Sequence, residues 1–147
     1  MENHVMIGNS EALIAALGCW PLFHDARVVA AARLDDAQSV SIHVFNMTDR
    51  VDENGYFELE CHHRVELLFT GIEKNTLPID YSSDCLDRLI FDRLDERPDS
   101  KIVAWFSSHL DADGEIICDK VEVISVVPCT DQGEIIMSRH DNKHSIN

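Results

Sequence analysis

Basic residues are scarce in this chain. Twelve Lys+Arg stand against 27 Asp+Glu in 147 residues, a net charge of −15 with His neutral. Such a chain repels phosphate backbones and anionic lipid, so no direct nucleic-acid or membrane binding is expected. Long apolar runs are also missing. No segment approaches the roughly 18 uninterrupted apolar residues of a membrane span. The opening MENHVMIGNS has no basic region followed by an apolar run, so no secretory leader is expected. A cytoplasmic protein follows from these readings.

Motifs that carry chemistry are absent too. There is no CxxC, no GxSxG and no glycine-rich phosphate loop. The cysteines (Cys19, Cys61, Cys85, Cys118 and Cys129) are odd in number and dispersed, which suits free thiols in a reducing compartment. Asp111-Ala-Asp113-Gly114 resembles part of a calcium loop. Aligning Gly114 with the loop glycine puts His109 and Lys120 at oxygen-ligand positions, so that reading fails and a hairpin turn remains. No cofactor is expected.

What is present fits one globular domain. The composition is 45% hydrophobic and 27% charged, which argues against disorder over the whole chain. No repeat or linker divides it, so residues 1–130 read as a single α+β domain. Residues 131–147 are polar and expected to fray. A short helix is expected after Asn9 or Ser10, with Leu13, Ile14 and Leu17 on its apolar face and Gly18 ending it. The period then becomes two. Alternation marks strands near Arg27–Leu34 and Ser39–Val44, and most clearly over Tyr56–Thr70, whose odd positions from Phe57 to Phe69 form the core face. Asn54-Gly55 predicts a hairpin before that strand. A second hairpin turns at Asp111–Gly114, and the strand after it slips phase near Asp119–Lys120 and ends at Pro128. Leu77–Arg97 reads either as a helix or as a short turn followed by an edge strand over Arg88–Leu94, the latter preferred. The expected fold is a mainly antiparallel sheet of five to six strands with the N-terminal helix packed on one face.

Histidines and carboxylates are the candidate functional groups. His24-Asp25 could act as a base with its orienter, though adjacent residues of an extended chain point apart. His24, Asp25, His43 and His63 form a metal site only if the fold converges them, and close paired ligands of the zinc type are lacking. A small metal-dependent enzyme or metal-binding protein is therefore an alternative, and a structural or regulatory homo-oligomer subunit is another. The plainer reading makes Asp25 a turn residue and His63 a satisfied, buried histidine. The acidic clusters are the preferred working surface: Asp49, Asp52 and Glu53; Asp84, Asp87, Asp92, Asp95, Glu96 and Asp99; and Asp111, Asp113 and Glu115. If several lie on one side they would steer a basic partner. Tyr56, Tyr81 and Trp105 are possible aromatic anchors for it.

Trp20-Pro-Leu-Phe-His-Asp-Ala26, Ile42-His-Val-Phe-Asn-Met-Thr48, the strand Val65–Gly71 and Glu122-Val-Ile-Ser-Val-Val-Pro-Cys129 together resemble the immunity protein 50 family of bacterial polymorphic toxin systems. The resemblance runs from Trp20 to Cys129 and is weakest around Leu77–Arg97. It implies a protein without catalytic activity that binds and neutralises a cognate toxin domain. It implies no role for Trp20, Phe23, His24 and Asp25 beyond membership of the motif, for which a structural part is expected. The acidity makes a basic nuclease a fitting toxin.

Overall fold

A computed structural model describes residues 6–83, 85–108 and 113–136. The element order is α1 (Ser10–Leu17), β1 (Arg27–Leu34), β2 (Ala37–Val51), β3 (Phe57–Thr70), β4 (Lys74–Asn75), β5 (Leu86–Arg93), β6 (Ile102–Ser108), β7 (Gly114–Cys118) and β8 (Lys120–Pro128). The strands form two sheets of four, ordered β1-β2-β3-β8 and β4-β7-β6-β5. Every neighbouring pair is antiparallel. The fold is therefore roughly α+β with one short helix, but the expectation of five to six strands in one sheet is corrected to two sheets.

The physical reason for two sheets lies at one corner. Gly71 follows β3 with φ +66, and a Cβ there would run into the Asp119 carboxylate. The Asp119 amide donates to the carbonyls of Thr70 and Gly71 at 3.0 and 3.1 Å. At this point the chain leaves the first sheet after β3 and re-enters it between β7 and β8. The phase slip near Asp119 is thus a passage between sheets rather than a bulge within one strand.

The inner faces meet in an apolar core. Val40, Ile42, Val65, Leu67 and Phe69 of the first sheet are fully buried, as are Leu86, Ala104 and Ile116 of the second. Phe69 lies 6.4 Å from Phe91 and 6.1 Å from Phe106, ring centre to ring centre, which joins the sheets. The helix packs on β8 and β3 and buries Leu13 and Leu17. Gly18 ends it in the left-handed conformation, as its lack of a Cβ allows. Asn9 is also left-handed and makes no side-chain cap; its amide Nδ2 donates to the Val123 carbonyl at 3.1 Å and ties the helix start to β8 instead.

The expected core face of β3 is corrected over its first part, where Phe57, Leu59 and Cys61 are exposed; two other expectations hold. The Asn54-Gly55 hairpin joins β2 to β3, and β5 is an edge strand paired only with β6. In β1, by contrast, Val28 is buried while Ala30, Ala32 and Leu34 are exposed, so its alternation is not a core pattern throughout. The turn between β6 and β7, including His109 and Asp111, lies outside the described residues, as do Asp84 and positions 137–147. Residues 130–136 form a turn: the Thr130 amide donates to Glu134, and Thr130 Oγ1 accepts from the amides of Gln132 and Glu134.

Candidate functional site

The segment between α1 and β1 is held in an unusual backbone. Phe23 and Asp25 both have positive φ, 63° and 64°. A bulky residue in the left-handed region is a conformational outlier that only surrounding structure can hold. Here the hold is visible. Phe23 is 2% exposed and meets Trp20 edge-on at 5.8 Å. Trp20 in turn meets Phe91 of the second sheet at 6.2 Å. The Asp25 amide donates to the Leu86 carbonyl and the Leu86 amide donates to Ala26, each at 2.8 Å. Trp20 and Phe23 therefore do structural work, and the strained loop they hold forms one wall of a cleft.

That cleft has a volume of about 290 Å³ and lies between residues 19–24 and residues 44–47 of β2. Its lining is mostly apolar and includes Trp20, Leu22, Phe23, Phe45 and Met47. Leu22 is 82% exposed at its edge. His24 stands at the rim.

The His24-Asp25 pair does not form a catalytic device with the neighbouring thiol. His24 Nε2 lies 3.6 Å from Asp25 Oδ2, beyond a good hydrogen bond. His24 Nδ1 lies 3.2 Å from the Asp87 carbonyl and 3.8 Å from its carboxylate. The Cys85 thiol donates to Asp25 Oδ1 at 3.3 Å. Burial, this bond and the charges of Asp25 and Asp87 all push the Cys85 thiol up. A cysteine nucleophile needs the opposite environment.

Alternation with Ile42 and Val44 puts His43 on the polar face of its strand, and it does lie on the outer face of the first sheet, but it is 1% exposed. Its cover is the turn after β8, where Gly133 sits with φ +85 above the Arg27–His43 contact. Arg27 Nη2 donates to His43 Nδ1 at 2.8 Å. A guanidinium has only donors, so His43 Nδ1 carries no proton, and His43 Nε2–H donates to His62 Nδ1 at 2.9 Å. Burial first, then the charges of Arg27, His62 and Arg64, push His43 down to about 4, with Asp131 opposing. His43 is thus a neutral link in a polar chain.

Sequence reasoning grouped His43 with His24, Asp25 and His63 as side chains that a metal site would have to converge, whereas the structure pairs His43 with His62. Cys61 adopts φ 57, and the β2–β3 register shifts between Val44 and Asn46. That irregularity breaks strict alternation along β3. His63 Nδ1 instead meets the Cys61 carbonyl at 2.8 Å. Among the described residues, no group of three or more His, Cys, Asp or Glu is placed to hold a metal ion.

The acidic candidates separate into two groups. Asp49, Asp52 and Glu53 lie at the tip of the β2–β3 hairpin. Asp52 is part of the turn itself, its Oδ1 accepting from the amides of Asn54 and Tyr56 at 2.8 and 3.0 Å. Asp87 lies beside the cleft, between His24 and Arg88. Asp92, Asp95, Glu96 and Asp99 lie on the end of β5 and the loop beyond it, next to Lys101, whose Nζ bonds Asp119 Oδ1 at 2.5 Å. Asp119 marks the Thr70 end of β3, and the hairpin tip marks the Phe57 end, roughly 40 Å away at strand rise. Asp95 is also compensated: both its oxygens bond Arg97, at 3.2 and 3.0 Å, which lowers its pKa.

Of the aromatic candidates, Tyr81 is 3% exposed and belongs to the core, while Tyr56 is 72% and Trp105 41% exposed. Trp105 Nε1 donates to Glu115, itself paired with Lys74 at 2.9 Å, so that indole is fixed on the outer face of the second sheet. Among the described residues, no helix is long and apolar enough to cross a membrane. No protein family, no curated protein and no solved structure was found to match the chain.

Proposed function

We propose that this chain is a binding protein rather than an enzyme. More particularly, we read it as an immunity protein that binds and neutralises a cognate bacterial toxin domain from the cytoplasm. One observation carries the reading. The Trp20–Ala26 segment, on which the resemblance to the immunity protein 50 family rests, forms the wall of an apolar cleft and presents Leu22 to solvent. Leu22 continues the apolar lining made by Phe45 and Met47, and an apolar surface of this kind suits a protein partner. The acidity supports a basic partner: a charge of −15 raises encounter rates with cationic surfaces and opposes anionic ones. A basic nuclease is the toxin class this charge fits best.

The acidic face of such a complex lies at one end of the molecule, since the two acidic groups are too far apart to share a partner of ordinary footprint. The experiment is direct. Co-expression with the toxin encoded beside its gene should restore growth, and the two proteins should co-purify in a stoichiometric complex. Growth arrest that persists despite abundant folded protein overturns the reading.

A further inference from the structure

The hairpin of β2 and β3 reaches beyond both neighbouring strands. β1 pairs with β2 only as far as His43, and β8 pairs with β3 only from His63 onward. Residues 46–60 therefore form a two-stranded ribbon, which has no independent stability in water without a covered face. One face carries Met47 opposite Leu59 and Val51 opposite Phe57. These four are 51%, 39%, 56% and 54% exposed. The ribbon also carries an ion network, with Arg50 Nε 3.0 Å from Glu58 and its Nη2 3.9 Å from Glu60. Met47 is shared between the ribbon and the cleft, so the apolar surface continues to Leu22.

We propose that the apolar ribbon face and the cleft form one docking surface, whose occupant is a basic protein surface that inserts an apolar side chain beside Leu22. This placement rests on the toxin-binding reading above. Charge chooses the occupant. Between positions 49 and 60 the ribbon holds Asp49, Asp52, Glu53, Glu58 and Glu60 against Arg50, five acidic groups to one basic, a net −4. Asp25 and Asp87 add carboxylates at the cleft. A second copy of this chain would bring the same charges against these, and like charges facing each other oppose association. A cationic rim around an apolar centre satisfies both halves of the surface, with the centre supplying affinity and the rim the encounter rate. At about 290 Å³ the cleft has room for one large side chain.

The test uses the full chain and the purified toxin domain encoded beside its gene. Binding is measured by calorimetry for the wild type, Leu22→Asp and Phe57→Asp, with Ile90→Asp on the outer face of the second sheet as control. All three positions are exposed, and an unchanged thermal midpoint verifies folding; either ribbon-side variant suffices if the other unfolds. Leu22→Asp and Phe57→Asp should each weaken binding by about 30-fold or more, the size of an interface anchor, while Ile90→Asp leaves it unchanged. Asp49→Lys with Glu53→Lys should slow association and flatten its salt dependence. Wild-type binding with both ribbon-side variants unaffected overturns the placement and leaves the immunity reading standing. No binding by the wild type overturns both. A wild-type dimer in sedimentation that Leu22→Asp or Phe57→Asp dissolves overturns the proposal in favour of a second copy.

Discussion

Protonation of His43 should set how stability falls with mild acid. The side chain is buried, accepts a hydrogen bond from Arg27 and has its pKa pushed down to about 4 from an ordinary 6.5. The unfolded chain therefore takes up a proton in the window from 6.5 down to 4 where the folded chain does not. The stability contributed by neutral His43 is complete above pH 6.5, falls as pH drops through that window and levels off below 4. The whole window is worth about 3 kcal/mol. Between pH 7.5 and 5.5 the expected loss is about 1.5 kcal/mol. Stopping at pH 5.5 also stays above the pI of 4.7. Carboxylates titrate in the same direction, so the useful quantity is a difference between two proteins. His43→Gln cannot ionise and keeps an oxygen to accept from Arg27. Urea unfolding at both pH values should show the wild type losing about 1.5 kcal/mol more than His43→Gln, whatever the variant's own stability. Equal losses in the two proteins would refute the buried, neutral assignment of His43.

Gly133→Ala should destabilise by on the order of 1–2 kcal/mol, because the position needs positive φ. The new Cβ would also stand 3.2 Å from Arg27 Nη2 and 3.3 Å from His43 Nδ1, so chemical denaturation should show a lower midpoint. Thiol labelling under native conditions should modify Cys19 and Cys61 quickly and leave Cys118 and Cys129 untouched until denaturant is added. Cys118 is the firmest case, since burial pushes it up to about 11. Asp52→Ala should loosen the hairpin tip, because two amides lose their acceptor, and hydrogen exchange at Asn54 and Tyr56 should speed up.

Local features were legible in the sequence where one short-range cause decides them. Gly18 ends the helix in the left-handed region that glycine enters without strain, and Gly55, also at positive φ, turns the hairpin for the same reason. The edge strand at β5 could be preferred over a helix because Leu89 and Phe91 alternate with Ile90 and Asp92. The second sheet was not legible. A chain that leaves a sheet at Gly71 and returns at Asp119 keeps its period of two on both sides of each corner, so alternation alone cannot say which sheet a strand joins. The slip at Asp119 was the one trace of the crossing.

The candidate site shows the same limit in sharper form. Alternation assigned His43 to a polar face and His63 to the core face, but a face is only wet if nothing covers it. The turn around Gly133 covers the first, and the irregular backbone at Cys61 turns His62 toward it. Both effects depend on residues far away in the chain. Exposure misleads in the other direction on the ribbon. Phe57 and Leu59 continue the apolar positions of Val65, Leu67 and Phe69 with the same period, and read as core. They are exposed because the extra residue at Cys61 carries them to the opposite face, where Leu59 pairs with Met47 rather than with a core position, and because β8 has ended before reaching them, with Pro128 opposite His63. The apolar face of the ribbon is therefore separate from the core stripe, and neither β1 nor β8 reaches alongside it. On the docking proposal, the acidic residues gathered at that ribbon's tip, rather than the larger acidic count at the Asp92–Asp99 end, are the ones whose charge would act together with apolar contact.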